Sequence, residues 1–424
     1  MSPTANHPLP TPQPARFSDA GAARAAALAF DLRQLPVDYF NNPYPYYHAL
    51  RQHAPVHPLS DAGYLLTRYA DCAAVYKDVA LFSSDKKCEF RPKYGDGLLY
   101  QHHTASLVFN DPPLHTRVRR IIAGAFTPRA IAALEAPVIA LVDGLLDRLG
   151  QRGGGDLIGD FAAAVPVEVI GNLLGVPRDE RGPLRDWSLA ILGALEPTLT
   201  PEQQERGELA VRDFLDYLTV LVAKRRSKLG DPEHDVLTRL IQGEWGGDKL
   251  SELELLHNII FILNAGHETT TNLIGNGLYL LLEWPDARAR LIADPALIRP
   301  TVEEILRFES SNQLGNRVTT APSVIGGVGL PAGTFLTLGI GAANRDPDEF
   351  PDPDLFDITR EPNRHLAFGS GAHVCAGLAV ARLEGRIAIG RLLARFPHYR
   401  LKSPPVRGGR ARFRGFLSLP VEVA

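Results

Sequence analysis

Apolar residues recur three and four positions apart along much of the chain, which is the spacing of one face of a helix. This pattern predicts helices over residues 130–149, 212–229 and 382–396. The pattern over residues 251–284 predicts a single helix of about 30 residues, far longer than the usual mean of roughly 11. Such a helix crosses the whole domain. Its centre is polar where a purely structural helix is apolar, and Pro285 ends it.

Strand patterns are short. They cover residues 63–67, residues 317–320, and residues 335–339 after a turn, and residues 339–368 predict an ordered irregular segment. No linker divides the body of the chain. The pattern therefore predicts one mainly α domain with minor β-sheets (α+β) over residues 28–424, preceded by a disordered Pro/Ala-rich tail over residues 1–27.

Composition narrows the class of protein. The chain has 45 basic and 48 acidic side chains, a net charge of -3, which excludes a nucleic-acid binder driven by bulk positive charge. Three cysteines at 72, 88 and 375 are too few for a disulfide framework or a structural zinc site and indicate a reducing compartment. Polar residues interrupt the best candidate membrane span, residues 259–282, and no signal peptide is evident. We expect a cytoplasmic protein with no membrane partner.

Cys375 stands out because glycines surround it and a predicted helix follows it. Glycine lets backbone N–H groups turn inward, and the positive end of the helix favours a thiolate. A thiolate held in this way is a metal ligand or a nucleophile. His373 is the nearby candidate base, but its spacing does not fit the known cysteine-hydrolase signatures. Cys72 and Cys88 are interpreted as non-functional.

Residues 368–377, Phe-Gly-Ser-Gly-Ala-His-Val-Cys-Ala-Gly, resemble the cysteine-ligand loop of the cytochrome P450 family. The resemblance implies a cytochrome P450-like domain whose long central helix crosses a haem b, with Cys375 as the axial thiolate ligand of the iron. Thiolate donation favours O–O cleavage. The implied cofactor-binding residues of this loop are Phe368, Gly369, His373 and Gly377.

Residues 265–269, Ala-Gly-His-Glu-Thr, resemble the family's oxygen-activation motif. The resemblance implies that Ala265 and Gly266 lie against the cofactor, and that Glu268 and Thr269 form an acid–alcohol pair supplying protons during dioxygen activation. The alternative for Thr269 is a structural hydroxyl that bonds back to its own helix.

The resemblance implies roles for two further sets of residues. Glu304 and Arg307 resemble the Glu-x-x-Arg element, and Arg360 lies where the family's third ion-pair member is found, so all three are implied to be scaffold. Alone, the Glu-x-x-Arg spacing is more typical of a solvated helix face. The implied donors to the haem propionates are His115, Arg119, Arg317 and His373.

The predicted function is a haem-thiolate monooxygenase that hydroxylates or O-dealkylates a mostly apolar small organic substrate. The resemblance implies dioxygen and a separate ferredoxin with its reductase as partners. A basic patch near Cys375 is then expected, with Arg382 as the first candidate and Arg117, Arg120 and Arg364 as weaker ones. The alternatives are a peroxide-driven peroxygenase and a non-catalytic haem-binding sensor or ligand carrier. Nothing in the sequence suggests more than a monomer.

The substrate pocket is expected, by analogy, to involve residues near 186–225, the central helix and the turn near 412–416. Residues 86–94, rich in cations and aromatics, capture a substrate carboxylate in one interpretation and form a solvated mobile loop in the other. Residues 310–313 are unusually polar for a position over a haem, and they bond either an oxygenated substrate or backbone and water.

Overall fold

The computed structural model describes residues 17–124, 126–232, 235–245 and 247–423. Helices dominate these residues, as the apolar periodicity predicts. The helices, in chain order, are α1 (Ala20–Leu28), α2 (Tyr44–His53), α3 (Tyr69–Lys77), α4 (Lys87–Tyr94), α5 (Leu98–Ala105), α6 (Leu114–Ala123), α7 (Pro128–Gln151), α8 (Ala164–Leu173), α9 (Leu184–Gly193), α10 (Pro201–Ser227), α11 (Val236–Gln242), α12 (Glu252–Glu283), α13 (Pro285–Ala293), α14 (Ile298–Phe308), α15 (Ile340–Ala343) and α16 (Leu378–Arg395).

The strands are short and lie in small sheets. They are β1 (Val56–Pro58), β2 (Tyr64–Leu66), β3 (Phe82–Ser83), β4 (Gly154–Asp156), β5 (Glu244–Trp245), β6 (Asp248–Lys249), β7 (Leu314–Thr319), β8 (Ser323–Ile325), β9 (Val328–Leu330), β10 (Phe335–Gly339), β11 (Arg400–Leu401), β12 (Val406–Arg407), β13 (Phe416–Ser418) and β14 (Pro420–Glu422). The three predicted strands are confirmed as β2, β7 and β10. The mainly α fold with minor sheets is confirmed as well.

The long central helix is confirmed as α12, which has 32 residues. A capping box begins it: the Ser251 hydroxyl accepts from the Glu254 N–H, and the Glu254 carboxylate accepts from the Ser251 N–H. α12 packs against α8, α9, α14 and α16, so it is buried on most of its circumference. Trp284 caps its end, and Pro285 begins α13, as expected for a residue with no N–H to donate.

The largest sheet runs in the order β1-β2-β10-β7-β3. β10 pairs parallel to β2 and antiparallel to β7, with Leu336 opposite Arg317 and Leu338 opposite Gly315. Two polar residues of β7, Asn316 and Arg317, line a cavity of the protein. The sheet therefore positions one wall of the cavity described below.

The prediction of a disordered tail over residues 1–27 is wrong in its last part. Residues 20–28 form α1, which Asp19 caps by accepting from the Ala22 N–H, and Ala27 is buried where α1 packs on α2. Six of its nine residues are alanine, the best helix former, so the composition that suggested disorder also favours a capped helix. Residues 1–16 lie outside the described residues.

Within the described ranges, none of the helices combines the length and the apolar character that a membrane span requires.

Candidate active site

A cavity of about 340 Å³ lies between α12, α6, β7 and the segment that precedes α16. Its walls are mostly apolar, with side chains such as Ile122, Leu192, Phe261 and Leu306. Cys375 lies on the same wall as Gly377, and Thr269 and Gly266 of α12 also line the cavity. The residues of the two strongest sequence motifs are thus brought together around one cavity.

The loop around Cys375 depends on two glycines with positive φ. Gly369 has φ +66° and Gly371 has φ +68°, and a Cβ at Gly371 would collide with the Tyr76 carbonyl oxygen. The Cys375 N–H donates to the Phe368 carbonyl at 2.9 Å, which closes the loop. Burial raises the pKa of the Cys375 thiol, while the Gly377 N–H and the charges of Arg119 and Arg382 act in the opposite direction. Burial therefore outweighs the backbone donor that the sequence led us to expect.

Four candidate propionate donors line this cavity: His115, Arg119, Arg317 and His373. Both ring nitrogens of His115, Nε2 of His373 and Nε of Arg317 are buried without a hydrogen-bond partner. The two histidine rings lie 3.9 Å apart, centroid to centroid. Burial lowers the pKa of both histidines and of both arginines, although the charge of Asp111 acts in the opposite direction on His115 and Arg317.

Buried donors without partners are rare unless a ligand satisfies them. A haem brings two carboxylates and an iron that takes a thiolate, and this donor set offers cations and N–H groups beside a cysteine. Gly377 adds room, because a Cβ there would meet nothing within 4 Å. The residues present fit a haem.

The oxygen-activation segment has its two side chains in different surroundings. Thr269 lines the cavity, and its Oγ1 donates to the Ala265 carbonyl oxygen at 2.7 Å. The structural alternative for Thr269, a bond back to its own helix, is therefore what the geometry shows, but the Oγ1 lone pairs remain open to the cavity.

Glu268 lies on a second cavity, of about 350 Å³, together with Arg410. Arg410 Nη1 donates to Glu268 Oε1, and Glu268 Oε2 is buried without a partner. Burial raises the pKa of Glu268 to about 7, although the charge and hydrogen bond of Arg410 act in the opposite direction. The carboxyl group is thus able to hold or release a proton near neutral pH.

The Glu304 carboxylate is the centre of a buried ion-pair network. Arg307 donates to both of its oxygens, at 2.8 and 2.7 Å, and Arg360 Nε lies 3.3 Å from it. The side chains of Glu304 and Arg307 are fully buried. The Glu-x-x-Arg pair does not lie on a solvated face, and it ties α14 to the irregular segment that leads to Cys375.

Residues 86–94 do not form a solvated mobile loop. Most of them form α4, where Phe90 and Tyr94 are four residues apart and both buried. Lys86 is buried as well, and its Nζ lies 2.6 Å from Glu89 Oε2. The segment also does not line the main cavity; that wall is formed by residues of the following segment, 102–109.

The other pocket expectations hold in part. Ile191, Leu192 and Leu195 line the cavity, as do Arg412 and Phe413. Of the polar stretch 310–313, Ser311 and Asn312 line it. Ser310 and Gln313 instead bond to neighbouring protein groups, Ser310 Oγ to the Leu306 carbonyl and Gln313 Nε2 to the Ser310 carbonyl.

Two candidates for a basic patch are committed to ion pairs. Arg382 binds Glu303 through two hydrogen bonds of 2.7 Å, and Arg117 binds Glu254 and the Lys249 carbonyl. Arg120 and Arg364 are exposed. Sequence spacing alone does not reveal such pairing, since the partners lie on α12 and α14.

Sequence reasoning missed three groups. His102 and His103, adjacent in α5, line the main cavity. Glu384 also lines it and is fully buried; its position four residues after Val380 and three before Ile387, on the apolar stripe of α16, is the signal that could have revealed it. Arg410 belongs to an alternating run with Arg412 and Arg414, in which all three guanidinium groups bind buried protein oxygens.

Comparison with known proteins agrees with this geometry. The family model described as Cytochrome P450 matches residues 189–407. Cytochrome P450 107B1 of Saccharopolyspora erythraea is 42% identical over 80% of this chain and 80% of its own. Vitamin D(3) 25-hydroxylase of Pseudonocardia autotrophica is 39% identical over 86% of this chain and 88% of its own.

Among solved structures, P450BioI in complex with an acyl carrier protein ligated to hexadec-9Z-enoic acid has a TM-score of 0.85 and 35% identity. That likeness covers 91% of this chain and all of the other. Fold, donor set and relatives agree, and the chain belongs to the cytochrome P450 family of haem-thiolate monooxygenases.

Proposed function

We propose that the protein hydroxylates, or O-dealkylates, a mostly apolar small organic substrate in the cavity shared by Cys375 and Thr269. The observation that carries this proposal is the composition of that cavity: a cysteine, unpartnered propionate donors and an apolar wall lie around one space. Apolar walls bind substrate by removing its surface from water and exclude water from the reaction.

The proposed cofactor is haem b. Cys375 Sγ would bind its iron, and His115, Arg119, Arg317 and His373 would bind its propionates. When bound, the haem supplies the activation of dioxygen and the oxidation of the substrate.

The proposed role of the protein is to deliver protons. Thr269 Oγ1 passes a proton to the reacting oxygen and recovers one from the Glu268 side. Glu268 faces the second cavity, so it must leave Arg410 and turn past the backbone of α12 to serve Thr269. A carboxyl group with a pKa of about 7 exchanges protons in both directions near neutral pH.

The proposed electron donor is a separate ferredoxin with its reductase. It would dock on the face near Cys375, where Arg364 and Arg120 are exposed. The relatives named for an activity include a vitamin D(3) 25-hydroxylase and a 6-deoxyerythronolide B hydroxylase, which supports a mostly apolar substrate for this chain.

The test is a spectroscopic titration followed by turnover. The ferric protein is titrated with carboxylic acids and their methyl esters on aromatic, fatty-acyl and steroid frames, and ligands that produce a high-spin shift are then incubated with a ferredoxin, its reductase and NADH. We expect an oxygenated product that requires the ferredoxin. Full-rate product from peroxide alone would favour the peroxygenase alternative, and spin shifts without any product would favour the sensor or carrier.

A further inference from the structure

Three histidines form a buried cluster at one end of the main cavity. The rings of His102 and His103 are 5.1 Å apart, and the ring of His257, on α12, is 5.5 Å from that of His102. All three are at most 2% exposed, and His102 and His103 line the cavity. None of them belongs to the motifs that the proposed function uses.

These histidines have unmet hydrogen-bonding capacity. His102 Nδ1, His103 Nε2 and both nitrogens of His257 are buried without a partner. Leaving a buried polar group without a partner lowers the stability of the fold. Two of these side chains line a binding cavity and the third lies against them, so a polar group of a ligand in the cavity would satisfy the donors that face it.

The local charges favour an anion. Lys93 and Arg412 are the side-chain charges of α4 and of the 407–416 turn that bear on His103, and both are positive. Lys93 Nζ donates to the Glu196 carbonyl, while the Arg412 guanidinium donates to the Leu195 and Leu314 carbonyls and to Asn316 Oδ1. Neither side chain is in a direct ion pair among the described residues, although the charges of Glu89 and Glu196 act on Lys93 from nearby.

Two of the nearby acids, Glu89 and Glu208, already have donors of their own, whereas Glu196 keeps one buried oxygen, Oε1, without a partner. Glu89 pairs with Lys86, and Glu208 accepts from the Leu98 and Leu99 N–H groups. Glu196 Oε2 accepts from two N–H groups, those of Ala411 and Arg412. Burial lowers the pKa of Lys93 to about 8, which is typical of a buried cation with incomplete compensation.

We propose that His102, His103 and His257 form the subsite that binds a carboxylate of the substrate. Imidazole N–H groups donate to the carboxylate oxygens, and the field of Lys93 and Arg412 stabilises the charge. This inference deepens the proposed function and rests on it, since it assigns the substrate class of the same cavity.

The position of the cluster also constrains where oxidation occurs. His257 precedes Thr269 by 12 residues on α12, which is about 18 Å along the axis at about 1.5 Å per residue. A substrate whose carboxylate binds at the cluster therefore presents a bond remote from that carboxylate to the oxidising centre.

The test compares acids with their methyl esters in wild type, His102→Leu, His103→Leu and His103→Asn. The probes are dodecanoic acid, 4-phenylbutyric acid and cholanic acid, each with its ester, and the readout is the dissociation constant from the spin shift. At least one acid should bind tenfold or more tightly than its ester in wild type. Both leucine variants should remove this preference, and His103→Asn, which keeps an N–H donor, should retain part of it.

Phe109→Leu is the matched control, because Phe109 lines the same cavity and contacts the ring of His103 at 5.7 Å without offering a donor. It should change the affinity for acid and ester alike. No preference for any acid in wild type, or an undiminished preference in both leucine variants, would overturn the proposal.

Haem content and the spectrum of the reduced carbon monoxide complex are measured on every variant. If the leucine variants lose haem, the cluster binds the cofactor and the substrate proposal is overturned. If the wild type itself binds no haem, the proposed function fails, and this outcome is distinct from a haem-loaded wild type without acid preference.

Discussion

Arg410 and Glu268 form an ion pair on a cavity that Thr269 does not line. Consecutive residues of a helix point about 100° apart, so the acid and the alcohol of the proposed pair face two different spaces. In the proposed relay, the proton must cross from one space to the other. Arg410 therefore controls how readily the Glu268 carboxyl group becomes available.

Removing the Arg410 charge should shift the pH dependence of product yield. The Arg410 charge lowers the pKa of Glu268, which burial raises to about 7, so Arg410→Gln should raise that pKa further. Because the protonated carboxyl group donates the proton, the decline of product per electron with rising pH should move to higher pH. The measurement is product and NADH consumption between pH 6 and pH 9.

Arg185→Gln is the control for that experiment, since Arg185 lines the same second cavity and does not bond to Glu268. Its profile should match that of the wild type. An unshifted Arg410→Gln profile would exclude Glu268 as the titrating group.

The hydroxyl of Thr269 should matter for coupling rather than for substrate binding. Thr269→Ala removes the only group of α12 that we propose to pass protons into the cavity, and a positioned general acid contributes about 10²–10⁴-fold. We expect product per electron to fall by about tenfold or more, with a spin-shift affinity close to that of the wild type. Thr269→Ser keeps the hydroxyl and should retain most of the yield; equal yields from the alanine variant and wild type would contradict the relay.

Glu384 should destabilise the fold as pH rises. It is fully buried, and burial raises its pKa well above the ordinary 4.5 with no charge among the described residues acting against it. From about pH 4.5 upward the unfolded chain loses this proton while the folded chain keeps it, so the free energy of unfolding falls with pH. Glu384→Gln should be more stable than wild type at pH 8 and similar to it near pH 4.5, as measured by urea unfolding.

Glu303 should have the opposite effect of pH on stability to Glu384, and it serves as the control. His365 and Arg382 hold its pKa down to about 2 despite burial, so its contribution is present above about pH 4.5 and lost as pH falls towards 2. Glu303→Gln should therefore be less stable than wild type at pH 7. A Glu384→Gln variant with no pH-dependent gain would mean that the carboxyl group is ionised in the fold.

Breaking the buried network at Glu304 should lower the free energy of unfolding far more than breaking the partly exposed ion pair between Glu303 and Arg382. Glu304→Ala leaves Arg307 charged and buried, which typically costs about 3–5 kcal/mol. Glu303→Ala breaks a partly exposed pair with Arg382 and a contact with His365, and we expect a smaller loss because Glu303 and Arg382 both keep contact with water. Urea unfolding of the haem-loaded variants measures both, and equal losses would contradict the scaffold role.

The sequence predicted the long helices and the main strands because their signals are local. The apolar spacing of α12 and the motif around Cys375 are legible without any tertiary contact. The partners of these residues are not: Arg410 lies 142 positions from Glu268, and Glu303 lies 79 positions from Arg382. The same limit explains why a solvated loop was one interpretation of residues 86–94. Their cations suggest exposure to solvent, whereas the burial of Lys86 depends on how α4 packs in the fold.

The tail shows a different limit. Alanine and proline both suggest weak packing, yet residues 20–28 contain no proline and gain the Asp19 cap. The helix forms where propensity, a cap and a neighbouring helix agree.

The most direct test of the central claim is the absorbance spectrum of the reduced carbon monoxide complex, recorded for the wild type, Cys375→Ser, Cys72→Ser and Cys88→Ser. Thiolate ligation displaces the main haem band from its position in proteins with other axial ligands. The account predicts the thiolate spectrum in wild type and in the Cys72 and Cys88 variants, and its loss in Cys375→Ser. A thiolate spectrum that persists in Cys375→Ser, or a wild type without a haem band, would contradict it.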